Sequence, residues 1–306
     1  MLSLLFLVVL SCTSLVTPSK HLQTQTISQK NIFILAGQSN MAGRGGVING
    51  IWDGIVPPQC QPNPMILRLA AGLQWEEAHE PLHADIDFRT TCGVGPGMAF
   101  ANDLLTKVPS FGVLGLVPCA VGGTKIDEWS RGTRLYNELL KRAGFALQDG
   151  GSIRAILWYQ GEADTVTQHD AQVYKQKLES FFFDLRTDLK SPSLSIFQVA
   201  LASGQGPYVE TVREAQLSVS VELQNVVCVD AKGLPLESDE LHLSTPAQVR
   251  LGEMLADAFL QSIPSPTPSP TQSHVPRRFS YSLSNLLIGT LFTTLLLILT
   301  VDRSFS

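Results

Sequence analysis

The sequence predicts an α/β domain built on a five-stranded parallel sheet with helices on both faces. Apolar runs of strand length recur at 32–35, 111–117, 155–159, 194–201 and 226–229, and helical patterns fill 98–108, 134–147, 171–189, 208–223 and 247–260. Strand and helix therefore alternate five times, the order expected of parallel strands joined by right-handed crossovers. The stretch 31–262 falls in the size range of one such domain and shows no internal repeat.

The first strand, Ile32-Phe33-Ile34-Leu35, stops at Gly37 before a short polar turn that carries Ser39. Ligands in open α/β sheets bind outside the carboxyl ends of the strands, so a serine just past the first strand stands where chemistry is usually done. An ordinary helix-capping turn has the same look. Between Val47 and Gly97 the chain is rich in Pro and Gly without clear period, which reads as an insertion over the sheet edge suited to a substrate-shaping loop or small β structure. The last helix has the clearest start, with Thr245 as cap, Pro246 at the first helical position and Gln248 placed to close a capping box.

The two ends read differently from the middle. Residues 1–14 hold an apolar run followed by Ser11, Cys12, Thr13 and Ser14, the pattern of a secretory signal peptide, although no Lys or Arg precedes the run. Residues 263–282, with prolines at 264, 266, 268 and 270 among hydroxyl residues, read as an extended stalk. Residues 283–301 carry no charge, and a helix of that length nearly matches a bilayer core of about 30 Å. A spanning helix would set Arg277-Arg278 on the stalk side, against the usual charge rule, and a lipid-anchor signal avoids that conflict. The expectation is a protein of the secretory pathway, extracellular or at the cell surface, attached to a membrane through this segment.

A net charge of −5 and the lack of any Lys/Arg-rich block exclude a nucleic-acid surface, whose affinity comes largely from phosphate neutralisation. If Cys12 leaves with the leader, Cys60, Cys92, Cys119 and Cys228 remain, compatible with one or two disulfides. No C-x-x-C pair occurs, and neither a metal site nor a cofactor is expected.

A serine hydroxyl needs a base oriented by a carboxylate before it acts as a nucleophile at neutral pH. His21, His79, His83, His169 and His274 lack a suggestive neighbourhood, whereas His242 lies in Ser238-Asp-Glu-Leu-His-Leu-Ser-Thr-Pro246, in the loop after the fifth strand. That loop emerges at the same sheet edge as Ser39. Asp239 can fold back onto one imidazole nitrogen through a single turn; Asp230 competes for that place and Glu240 is a weaker candidate. Donors for an oxyanion are offered by the Gly122-Gly123 turn after the second strand and by Gln160 after the third.

Gly37-Gln-Ser-Asn-Met41, Gly122-Gly-Thr124, Gln160-Gly-Glu162 with Asp164, and Asp239-x-x-His242 stand in the order found in SGNH (GDSL-type) hydrolases. From about residue 31 to 260 the chain resembles the sialate O-acetylesterase-like branch, which includes plant carbohydrate acetylesterases. The resemblance implies a flavodoxin-like three-layer sandwich, the SGNH hydrolase fold. It implies Ser39 as nucleophile and first oxyanion donor, the Gly123 N–H as second donor, and Gln160 where other SGNH enzymes have Asn. Glu162, in the same block, falls among the oxyanion or substrate-binding residues. Asp239 and His242 are implied as acid and base, and acetylated carbohydrate as substrate. Gln38 replaces the Asp of the GDSL form, and Met41 stands where the G-x-S-x-G elbow has Gly. The other reading is a membrane-tethered carbohydrate-binding protein that keeps the pocket without turnover.

Overall fold

In a computed structural model of the chain, residues 29–148 and 150–263 are described. The leader at 1–14, the stalk beyond Ile263 and the hydrophobic segment at 283–301 lie outside them. No helix among the described residues is long and apolar enough to cross a membrane.

The chain runs β1 (Lys30–Gly37), α1 (Ser39–Ala42), β2 (Val47–Ile48), β3 (Ile51–Trp52), β4 (Ile66–Leu69), β5 (Trp75–Glu77), α2 (Pro96–Lys107), β6 (Leu114–Pro118) and α3 (Arg134–Gln148). It continues through β7 (Gly151–Tyr159), α4 (Gln168–Asp188), β8 (Ser195–Ala200), α5 (Val209–Glu222), β9 (Val226–Asp230) and α6 (Thr245–Ser262). The sheet has seven strands in the order β5-β4-β6-β1-β7-β8-β9, against the five expected. The five expected strands are all present and parallel. The insertion supplies the other two: β4 adds parallel to β6, and β5 closes the edge antiparallel to β4.

Alternation along β1 sets the two faces. Phe33 packs at 4.9 Å from Phe100 of α2 and 5.0 Å from Phe259 of α6, and those helices pack on each other. On the opposite face Trp158 of β7 sits 4.6 Å from Phe181 of α4 and 5.2 Å from Trp129. Ile32 to Ala36 of β1 are fully enclosed between these layers, which explains the unbroken apolar run. The chain steps to β4 and β6 on one side of β1 and to β7, β8 and β9 on the other, so strand order reverses at the carboxyl end of β1.

The start of α6 differs from expectation. Ser244 holds the cap position with Thr245 already helical, and no side chain there closes a capping bond. Gln248, fully buried, donates its amide 3.1 Å to the Asn40 carbonyl instead, so the box does not form. Tertiary contact has claimed the side chain that local sequence assigned to a cap.

Candidate active site

Gly37 turns the chain out of the sheet at φ +130°, and an added Cβ there would lie 2.0 Å from the Tyr159 carbonyl oxygen. Only glycine allows that approach. Gln38 follows, fully buried; its N–H donates 2.8 Å to the Tyr159 carbonyl, and its Oε1 accepts the N–H groups of Gly161 and Ala163 at 3.3 Å each. Ser39 is thereby presented at the first position of α1, 5% exposed.

The hydroxyl of Ser39 lies 3.0 Å from Nε2 of His242, 203 residues away, and Nδ1 of His242 lies 2.6 Å from Oδ2 of Asp239. A carboxylate at Nδ1 fixes the proton on that nitrogen and leaves Nε2 as an acceptor for the serine hydroxyl. The other carboxylate oxygen of Asp239 accepts the N–H groups of Leu241 and His242, both at 3.0 Å. Burial alone would raise its pKa, but these backbone bonds and the imidazole hold it below the usual carboxylate range. Asp239 is therefore a fixed anion. Asp230, the competing carboxylate, is held 2.9 Å from Arg213 and accepts the Lys232 N–H, while Glu240 makes no side-chain bond to the imidazole and forms part of the turn at φ +56°.

The Gly122-Gly123 turn packs on the serine: a Cβ built on Gly122 would lie 3.5 Å from that of Ser39 and 2.7 Å from the Arg44 guanidinium. Gly122 donates its N–H 3.1 Å to Asp87, which is ion-paired with Arg44; both are nearly enclosed, at 3% and 5% exposure. This pair lies behind the turn and fixes it. Gly123, at φ +73°, leaves its N–H without an acceptor among the described residues.

Gln160 and Glu162, expected among the oxyanion or substrate-binding residues, bond to groups inside the protein. Gln160 is fully buried, and its amide donates to Asp164 at 2.6 Å and to the Thr124 carbonyl at 2.8 Å, so neither hydrogen is left for an oxyanion. Glu162, equally buried, accepts from Asn40 at 2.8 Å. Asn40 is the residue that sequence reasoning missed. Its side-chain oxygen Oδ1 accepts the Leu243 N–H at 2.9 Å, while its side-chain amide also reaches the Leu241 carbonyl at 3.3 Å. One side chain adjacent to Ser39 therefore clamps the residues on both sides of His242.

Burial pushes the Glu162 carboxyl up to about 7, with the Asn40 bond opposing it in part. The folded chain holds this proton more tightly than the unfolded chain, whose value is 4.5. The resulting stability is complete below pH 4.5 and is lost as pH rises to about 7, on the order of 3 kcal/mol in all. Glu162→Gln keeps the acceptor for Asn40 but cannot ionise. Thermal unfolding should show the variant gaining on wild type between these pH values and holding a constant margin above them; a margin that does not change with pH refutes the assignment.

The four cysteines are all free, against the one or two disulfides considered above. Cys92 lies 3.4 Å from Arg44 and Cys119 follows β6, and burial pushes both thiols up to about 11. His79 and His83 stand at H-x-x-x-H spacing, with Glu80, Pro81 and Leu82 between them. The segment is a turn and not a helix; His79 is exposed, whereas His83 is buried with its pKa lowered to about 3 by desolvation. The two imidazoles therefore share no helix face on which to hold a zinc ion.

Beside His242 opens a cleft of about 330 Å³, lined by Val47, Asn49 and Gly50 of the β2–β3 hairpin, by Arg44, Thr90 and Thr91, and by Asp239.

Residues 29–261 match the family described as carbohydrate esterase, sialic acid-specific acetylesterase. The chain belongs to this family. It is with it a carboxylic ester hydrolase. A protein of Arabidopsis thaliana named probable carbohydrate esterase is 56% identical over 243 residues, 77% of this chain and 92% of that one. The solved structure of an Arabidopsis thaliana protein, at the same identity, superposes with a TM-score of 0.73 over 76% of this chain and 99% of that chain. NanS, 19% identical, shares the fold at a TM-score of 0.61 over 76% of this chain and 97% of its own. A carbohydrate acetylesterase from Xanthomonas citri, 18% identical, does so at 0.55 over 74% and 55%.

Proposed function

We propose that this esterase removes O-acetyl groups from carbohydrate through an acyl-enzyme formed on Ser39. The observation that carries the mechanism is the unbroken relay from Ser39 Oγ through His242 to Asp239. The serine oxygen attacks the acetyl carbonyl carbon while its proton passes to Nε2 of His242. Asp239 stabilises the imidazolium without taking the proton. The developing oxyanion is met by the N–H groups of Ser39 and Gly123, at the head of α1 and on the glycine turn. Collapse breaks the bond to the sugar oxygen, which leaves with the proton from Nε2. A water activated by the same imidazole then frees acetate and returns the serine. Gln160, with its amide bound to Thr124 and Asp164, braces the glycine turn from behind.

Acetate release from a panel of acetylated glycans tests this reading. Turnover is expected on at least one acetylated glycan and on p-nitrophenyl acetate. Hydrolysis of p-nitrophenyl acetate with no acetate from any glycan would leave an esterase whose substrate is not carbohydrate; no hydrolysis of either would overturn the mechanism.

A further inference from the structure

The nitrogen that takes the serine proton must return it to the departing sugar oxygen, so that oxygen has to come within hydrogen-bond reach of His242 Nε2. The sugar that carries it lies on the open side of the imidazole. On the other edge of the ring stands Asp239, and the backbone on either side is held by Asn40. The space that remains is the cleft beside the β2–β3 hairpin.

Most polar groups lining that cleft are already satisfied. The Arg44 guanidinium is divided among the Gly43 carbonyl, Cys92, Asp87 and Thr90. The Thr90 hydroxyl also donates to Asp87, the Thr91 hydroxyl donates 2.5 Å to the Gly50 carbonyl, and Asp239 holds His242. Asn49 is different: it is exposed, and its carboxamide has no partner among the described residues. A carboxamide presents two donors and an acceptor in one plane, a match for adjacent sugar hydroxyls that both donate and accept.

We infer that the tip of the β2–β3 hairpin is the wall that holds the acetylated sugar, with the Asn49 carboxamide as its hydroxyl-reading group. This rests on the acyl-transfer reading above and names the surface that gives it a preference for sugar leaving groups. The hairpin is built to keep Asn49 in place. Asn49 at φ +51° and Gly50 at φ +75° form the two-residue turn that an Asn-Gly pair favours. Thr91 ties the tip, the Gly46 N–H donates 2.9 Å to Glu237 at the base, and Gly93 runs so close that an added Cβ would lie 2.3 Å from the Gly45 carbonyl oxygen. With the backbone beneath Asn49 fixed in advance, only its side-chain rotamer is left to be ordered when the ligand arrives.

Asn49→Gly removes the carboxamide and keeps the left-handed backbone. The quantity to measure is kcat/KM on acetylated xylo-oligosaccharides divided by kcat/KM on p-nitrophenyl acetate, whose leaving group carries no sugar hydroxyl. The ratio should fall at least tenfold in the variant, mostly through KM on the glycan. An unmoved ratio overturns the inference while leaving the acyl-transfer reading intact. If wild-type enzyme releases no acetate from glycans, that reading fails on its own account and binding decides the inference. Xylotriose titrated into Ser39→Ala protein should then shift the Asn49 side-chain amide resonances saturably, and no shift overturns it.

Discussion

Ser39→Ala should reduce ester hydrolysis by about three to six orders of magnitude, the range seen when a nucleophile is removed from a triad that acts as one unit. The serine hydroxyl makes a single bond, 3.0 Å to His242, and the residue is 5% exposed, so alanine fills the same space with one polar group fewer. Gln38 and Asn40, which hold the turn on either side, keep all their contacts. The variant should therefore fold, and its melting temperature should stay within a few degrees of wild type. Retention of even a tenth of wild-type turnover in a folded Ser39→Ala protein would remove Ser39 from the mechanism.

The second large effect belongs to Asp239→Asn, with an expected loss of about 10⁴ in kcat. The oxygen of the new amide can still accept from Leu241 and His242, which Asp239 binds at 3.0 Å, so the loop keeps its shape. What changes is the imidazole. An amide N–H facing Nδ1 drives the ring proton to Nε2, where it blocks acceptance of the serine proton. Asp230→Asn should do far less to the rate, because Asp230 bonds to Arg213 and the Lys232 backbone and not to His242. A larger loss in Asp230→Asn than in Asp239→Asn would reverse the assignment.

The sheet core and the Ser39–His242 pairing were legible because each rests on a local pattern. The β1 run announces a strand enclosed on both faces, and a serine after its last glycine has only the carboxyl edge to occupy. The loop after β9 returns to that edge by topology alone. β4 and β5 were harder, with only four and three residues and with charges at Arg68, Glu76 and Glu77 along them. The β2–β3 hairpin was readable in principle, since Asn49-Gly50 between Val47-Ile48 and Ile51-Trp52 is a turn signal, but two-residue strands leave no period to measure. Gln160 shows a different limit. Its place beside the glycine turn follows from its position after β7, yet Asp164 and Thr124 decide where its amide points, and partners chosen by folding carry no mark in sequence. The Arg44–Asp87 pair behind the turn, 43 residues apart, was invisible for the same reason.

The clamp formed by Asn40 bears on how the enzyme comes into being during translation. Ser39 leaves the ribosome early, while Leu241 and Leu243, which Asn40 grips, come about 200 residues later, some tens of seconds at ordinary elongation rates. Until β9 has joined the sheet and α6 has brought Phe259 against Phe33, Ser39 has no base and Asn40 has no loop to hold. Among the described residues, the loop that brings His242 to Ser39 therefore comes last but for α6, and the contact is made only late in synthesis.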